Sequence, residues 1–222
     1  MATMPDLLEL AQKLAVWALP VLFAITLHEV AHGYVARLYG DNTAAAQGRL
    51  SLNPIKHVDP IGTLLVPAVL LLLGGFLFGW AKPVPVNYRN LKNPKRDMAV
   101  VAIAGPAVNL AMALGWALLL KVCLAQDVSD GLWLGIGQMS VAGISINLVL
   151  MVLNLLPMPP LDGGRVAVGL LPMKQAIALS KIEPYGMVIL IVLMVTGILG
   201  HILGPLVGLS QQLILGLFGI QS

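Results

Sequence analysis

From Met98 to Leu120, and again from Gly131 to Leu161, the chain runs without a single Asp, Glu, Lys or Arg. A helix needs about 20 consecutive apolar residues to cross a bilayer core, and both runs supply them. Leu14 to Leu27 is a further uncharged stretch, and its helical pattern continues to Tyr39. Ile61 to Trp80 is another, interrupted by Pro67 and by Gly74-Gly75. From Pro184 onward no charged side chain appears. In that tail Gly204-Pro205 is expected to divide a spanning first part from a shorter remainder, Leu206 to Ile220, which lies in the interface or packs on the bundle. Composition agrees that the bilayer is the solvent: 58% of residues are hydrophobic, 10% are charged and the mean hydropathy is +0.89. A soluble domain carries about a quarter charged residues. The expected fold class is an all-α polytopic membrane protein with about five to six transmembrane helices. Residues 1–222 contain no internal repeat, low-complexity tract or soluble insertion, and read as one integral-membrane domain.

Charge placement gives a topology. Of thirteen Lys and Arg, Arg37, Arg49 and Lys56 lie between the first and second runs. Lys82, Arg89, Lys92, Lys95 and Arg96 lie between the second and third, and Arg165, Lys174 and Lys181 between the fourth and fifth. The connection from third to fourth holds Asp127 and Asp130 instead. The positive-inside rule puts all three basic loops in the cytoplasm. A single crossing by Ile61 to Trp80 would separate two of them. That run is therefore either a tilted helix that violates the rule or a re-entrant hairpin broken at Pro67 and the Gly pair. The charges favour the hairpin, which would need protein cover at membrane depth. Asp6 and Glu9 precede the first run, unlike the basic start of a secretory signal, so the first helix is expected to be retained. A net charge of +3, confined to loops, speaks for topology and against nucleic-acid binding. The one cysteine, Cys123 between Val122 and Leu124, excludes an internal disulfide and an all-thiolate metal site, and is expected to pack at the membrane boundary.

The sharpest local feature is His28-Glu29-Val30-Ala31-His32. Helical residues four apart share a face about 5–6 Å apart, so both imidazoles can reach one metal ion. Glu29 can approach a water on that metal, the zincin arrangement of two His ligands and a Glu base. An ionisable residue deep in a membrane helix costs roughly 2.5–3.5 kcal/mol on insertion scales, and three stand here within five positions. A polar interhelical cluster is the plain alternative. Catalytic zinc takes a third protein ligand and keeps a fourth position open. The candidates are Asp162, His57 beside Asp59, and His201 beside Gly200. Asp162 is preferred because it closes the longest apolar run. Pro157, Pro159 and Pro160 deny a regular helix just before it, and Gly163 and Gly164 permit a tight turn after it. His57 is expected to be interfacial and His201 a packing residue. His28, Asp162 and the Gly105-Pro106-Asn109 start of the third run all fall toward the cytoplasmic side.

His28-Glu29-x-x-His32, then Gly105-Pro-Ala-Val-Asn109, then Asn154-x-x-Pro157-x-Pro159-x-x-Asp162-Gly163 together resemble the three motifs of the site-2 proteases, the intramembrane zinc metalloproteases. The resemblance spans Leu14 to Gly164 and suits a minimal form without a PDZ domain. It implies one Zn2+ per chain held by His28, His32 and Asp162, with Glu29 as catalytic base. It implies that Asn154 supports the transition state or the unwound substrate, and that Asn109 lies near the active site. The catalytic core would occupy 7–164, with C-terminal membrane segments at 184–222. The substrate would be a transmembrane protein or peptide in the lipid bilayer, and the setting a prokaryotic inner membrane with the site toward the cytoplasm. In this family the region between the first and third runs forms a β-hairpin or loop beside the substrate. Here Lys82-Pro83-Val84-Pro85-Val86 could present an edge to an extended peptide, although its prolines forbid a central strand. A membrane zinc transporter or sensor is the alternative class, but ligands strung along a pathway would mark it better than one cluster. A purely structural or chaperone-like membrane protein would need no metal at all.

Overall fold

The computed structural model describes residues 7–65, 81–126 and 131–220. Helix α1, Leu7–Leu38, has 32 residues and is about 48 Å long at 1.5 Å per residue. That exceeds a hydrocarbon core of about 30 Å, so its ends reach the headgroup regions. Pro20 lies inside it and is buried, where neighbouring helices cover the backbone it frees. A single turn follows, α2, Thr43–Ala46. Next comes a 3-10 turn, Pro54–His57, whose start is capped by Asn53 accepting the Ile55 N–H at 3.0 Å. Asp59 Oδ1 likewise accepts from Ile61 and Gly62 at the start of the short π-helical segment Pro60–Leu65. Whether Ile61 to Trp80 spans or re-enters is decided at positions 66–80, outside the described residues. Among the described residues there is no β-strand, and Lys82 to Val86 is irregular.

Helix α3, Pro94–Leu124, opens with Pro at its first position, and the buried Asp97 accepts the Asn93 N–H at 2.7 Å. Helix α4 is Gly131–Asn154. Short helix α5, Asp162–Leu170, is followed by α6, Met173–Ser180, α7, Glu183–Val195, and α8, Ile198–Leu217. Helix α3 is central and packs on α1, α4 and α5. Its Ala113 and Ala117 are fully buried against Ile144 and Leu148 of α4. In lipid no hydrophobic drive distinguishes one helix surface from another, so such small residues, which let backbones approach, hold the bundle together. Four helices (α1 from Ala11, α3, α4 and α8) are long and apolar enough to cross a membrane. Helices α6 and α7, bent by 61° to one another, make a fifth, broken span if taken together. The chain is an all-α polytopic membrane protein. Cys123 packs inside with no exposed surface.

The C-terminal tail differs from expectation. Gly204-Pro205 does not divide it, because α8 runs through both residues. Proline inside a membrane helix costs one hydrogen bond, which local adjustment and neighbours tolerate. The break falls instead at Gly197, whose φ of 76° is left-handed backbone that ends a helix and favours glycine. Ile214 and Leu215 of α8 then join the α3–α4 core, so the remainder packs on the bundle.

Candidate active site

His28 and His32 stand one turn apart on α1, with ring centroids 4.7 Å apart and planes at 85°. Each ring is oriented from α3. His28 Nδ1 lies 2.6 Å from Asn109 Oδ1, and His32 Nδ1 lies 2.8 Å from the Val101 carbonyl. Both partners are acceptors, so each imidazole carries its proton on Nδ1 and keeps a lone pair on Nε2. The two Nε2 atoms are 3.1 Å apart, and Asp162 Oδ2 lies 3.1 and 3.2 Å from them. With both imidazoles neutral no proton is left to bridge these three atoms, and Asp162 Oδ2 is buried without a hydrogen-bond partner. Three converging electron-pair donors in a buried setting could hold a cation. Tetrahedral zinc with bonds of about 2.0–2.1 Å has ligand–ligand edges of about 3.3 Å, so donor set and spacing both fit zinc. Among the described residues this is the one group of three that could hold a metal ion.

The backbone explains how three polar side chains meet in a membrane bundle. Gly105 of α3 faces the two imidazoles: a Cβ there would come within 2.5 Å of His28 Cε1 and His32 Nε2. Only glycine leaves room for both rings against α3. Asp162 is carried by the irregular stretch from Leu155 to Leu161, where the prolines end α4 as expected. Gly163 and Gly164 do not form a tight turn. They lie in the first turn of α5, where a Cβ would strike the Leu155 carbonyl oxygen at 2.3 Å or the Pro159 nitrogen at 2.3 Å. Their bareness lets α5 start directly against the preceding loop, which sets the position of Asp162.

Glu29 is half-buried, and its Oε2 accepts a hydrogen bond of 2.7 Å from the Val84 backbone N–H. The segment carrying Val84 is pinned by Arg49, which donates to the carbonyls of Lys56, Lys82 and Pro83 at 2.5, 2.8 and 3.2 Å. Lys82 N–H donates to the His57 carbonyl at 2.9 Å. Val84 N–H and Lys82 N–H are therefore taken, and Pro83 and Pro85 have none to offer. Asp41, beyond the end of α1, anchors the far side of the segment. It accepts from Thr43 N–H and Oγ, Asn90 Nδ2 and Asn87 N–H. Burial pushes its pKa up, but the hydrogen bonds outweigh that and hold it below the ordinary carboxylate value.

Asn109 of α3 touches the cluster directly through His28. Asn154, at the end of α4, donates Nδ2 to the Leu150 carbonyl one turn back at 3.0 Å. Among the described residues no hydrogen bond joins it to His28, His32 or Asp162. His57 and His201 stay out of the cluster. His57 is buried, with Nε2 donating to the Ser51 carbonyl at 2.8 Å. His201 is exposed rather than packed, its Nδ1 bonded to the Gly197 carbonyl at 2.9 Å. Sequence reasoning missed Val101, Val84 and Asn147. The first two act through backbone atoms, which carry no residue signature. Asn147 could have been found as an amide in an uncharged run, two helical turns before Asn154.

Comparison with known proteins agrees with this geometry. The family model of Peptidase family M50 matches residues 122–197. The chain is 42% identical over 200 residues to "Putative zinc metalloprotease YwhC" of Bacillus subtilis, covering 89% of this chain and 88% of that protein. It is 34% identical over 179 residues to the Rip2 protein of Mycolicibacterium smegmatis and 33% over 174 residues to that of Mycobacterium tuberculosis, both carrying the same zinc metalloprotease description. Those matches cover 79% and 78% of this chain but 64% and 63% of the longer relatives. No solved structure matches the chain. With most of its length shared at this identity, the chain belongs to peptidase family M50, the site-2 protease family, as a metalloprotease built into the membrane.

Proposed function

We propose that the protein hydrolyses peptide bonds in or near transmembrane segments of other membrane proteins, as in regulated intramembrane proteolysis, with one zinc ion held by His28, His32 and Asp162. The convergence of two Nε2 lone pairs and one carboxylate oxygen within 3.2 Å, inside a helical bundle, carries the reading. Bound there, zinc would lower the pKa of its water toward about 7 and serve as a Lewis acid for the scissile carbonyl.

The remaining chemistry belongs to the chain's own groups. Glu29 Oε2 is engaged by the Val84 N–H, which leaves Oε1 to take the proton of the attacking water. As the water oxygen bonds to the carbonyl carbon and the C–N bond breaks, Glu29 returns that proton to the leaving nitrogen, giving a free carboxyl and a free amine. Asn154 has a second amide hydrogen beyond the bond to Leu150, and it is assigned to the substrate carbonyl oxygen. Asn109 positions His28. A helical substrate must unwind locally, because its peptide groups are otherwise sheltered by their own hydrogen bonds.

The cytoplasmic end of the membrane is the proposed side of cleavage. His32 lies six residues before the end of α1, about 9 Å along the axis, and Val101 lies a similar distance inside α3. Arg37 in the last turn of α1 and Lys92, Lys95 and Arg96 at the start of α3 lie at those helix ends, in keeping with the positive-inside rule for a cytoplasmic face. Residues 7–164 are proposed as the catalytic core, and α7 and α8 as its C-terminal membrane support. The deciding experiment is zinc analysis together with cleavage of a model transmembrane substrate in detergent. Zinc in both the native protein and Glu29→Gln, with cleavage only in the native one, is the expected result. Cleavage by Glu29→Gln would sink the assignment of the base, and absence of zinc from both would sink the site.

A further inference from the structure

Asn147 sits on α4, fully buried, and touches none of the proposed ligands. An uncompensated amide at this depth is costly, and both polar atoms of this one are bonded in a fixed direction. Its Nδ2 donates to the Gly143 carbonyl at 2.8 Å. Its Oδ1 accepts from Asn109 Nδ2 at 2.9 Å. The Trp116 ring fills the space a Cβ at Gly143 would need, so this end of the chain of bonds is closed by an aromatic wall.

The Gly143 carbonyl can only accept, which turns the Asn147 Oδ1 toward Asn109. That oxygen in turn holds the Asn109 Nδ2, leaving the Asn109 Oδ1 to face His28 Nδ1 at 2.6 Å. An acceptor at Nδ1 puts the proton there and leaves Nε2 free to ligate. Among the described residues the only other acceptor for the Asn109 Nδ2 is the Ala24 carbonyl, at a longer 3.3 Å. If Asn109 flipped, its NH2 would face Nδ1, the proton would move to Nε2, and His28 could no longer bind metal. We infer that Asn147 is a positioning residue for the metal centre: through Asn109 it selects the tautomer of His28. The inference rests on His28 being a ligand, so its test carries a separate check of that reading.

The test uses the full chain in detergent and zinc alone as probe, with affinity measured by competition against a chromophoric chelator. Asn147→Ser is the main variant, because serine in a helix bonds back to the carbonyl four residues earlier, as Ser140 does to Ile136 here. It keeps the Gly143 carbonyl satisfied while withdrawing the acceptor from Asn109. Zinc affinity should fall about tenfold, at the lower end of the range for groups behind a ligand, with the apo-protein melting temperature little changed. The His28 ring-nitrogen shifts in 15N NMR of the zinc-free protein should move toward the Nε2–H tautomer. Asn147→Ala should do the same, and the Asn109→Ala, Asn147→Ala pair should bind zinc no more weakly than Asn109→Ala alone. Native affinity and an unshifted tautomer in both Asn147 variants would overturn the inference, as would additive losses in the double variant. The site reading is checked by His28→Ala: one zinc per native chain, lost in that variant, upholds it, and a native chain that binds no zinc defeats both.

Discussion

The carboxylate of Glu29 on α1 is bonded to the backbone N–H of Val84, 55 positions further along the chain, at 2.7 Å. The proposed base is thus oriented by a loop, and the loop is held by Arg49 rather than by its own secondary structure. Arg49→Ala should leave the zinc content unchanged and lower turnover of a transmembrane substrate about ten- to a hundredfold, the usual effect of misplacing a reacting group by an ångström. Side-by-side zinc analysis and cleavage rates test this. Unchanged turnover would mean that Val84 does not orient Glu29.

Gly105 should tolerate no side chain. In Gly105→Ala the new methyl would overlap both imidazoles, and zinc affinity should fall by more than the roughly tenfold expected for changes behind a ligand. Gly115, in the same helix but with open space around it, is the control, and Gly115→Ala should bind zinc as the native chain does. Equal affinities in the two variants would contradict the packing described here.

Asp162→Asn should separate charge from shape. The amide fits the same volume but offers a neutral oxygen to the cation, so zinc should be lost or bound at least a hundredfold more weakly, at about the top of the range seen even for outer-shell changes. Circular dichroism should report an unchanged helix content. Zinc retained at native affinity would place the third ligand elsewhere.

Asp41 makes a prediction about pH. Its pKa is depressed in the folded protein, so its stabilisation is complete above the ordinary carboxylate value of about 4 and is lost as pH falls through the lower folded value. Asp41→Asn should cost about 1–3 kcal/mol at neutral pH. The difference in melting temperature between native and variant should stay level from pH 5 to 8 and shrink in stronger acid. A gap that grew on acidification would reverse the sign argued here.

The spanning helices, and the convergence of the three proposed ligands, were legible in the sequence for physical reasons. Charge is so costly in lipid that uncharged runs announce helices, and the His28–His32 spacing matches the helical period. Asp162 was reachable because three prolines before it had no other use at membrane depth. The backbone atoms of Val84 and Val101 were not legible, since any residue type offers the same N–H and carbonyl. Nor was the helix break at Gly197. A proline at position 205 is the louder breaker in water, yet a left-handed glycine ends the helix here. Asn154 had a motif to recommend it, and its nearest partner is its own helix. Asn147, which no motif marked, reaches the imidazole through one intermediary.

Gly186 of α7 lies so close to the loop before Asp162 that a Cβ would meet the Pro159 carbonyl oxygen at 2.1 Å. Along the same loop, Gly163 lies against the Leu155 and Leu156 carbonyls and Gly164 against the Met158–Pro159 peptide. Helix α7 meanwhile turns Val188, Ile191, Val192 and Val195 outward, toward acyl chains. The proposed third ligand therefore sits next to a loop that touches a lipid-facing helix already bent where it meets α6. A tilt of α7, such as a change in bilayer thickness imposes on a short span, bears on the loop that carries Asp162. The proposed metal centre is thereby joined to the lipid-facing surface through the bare backbone of Gly186.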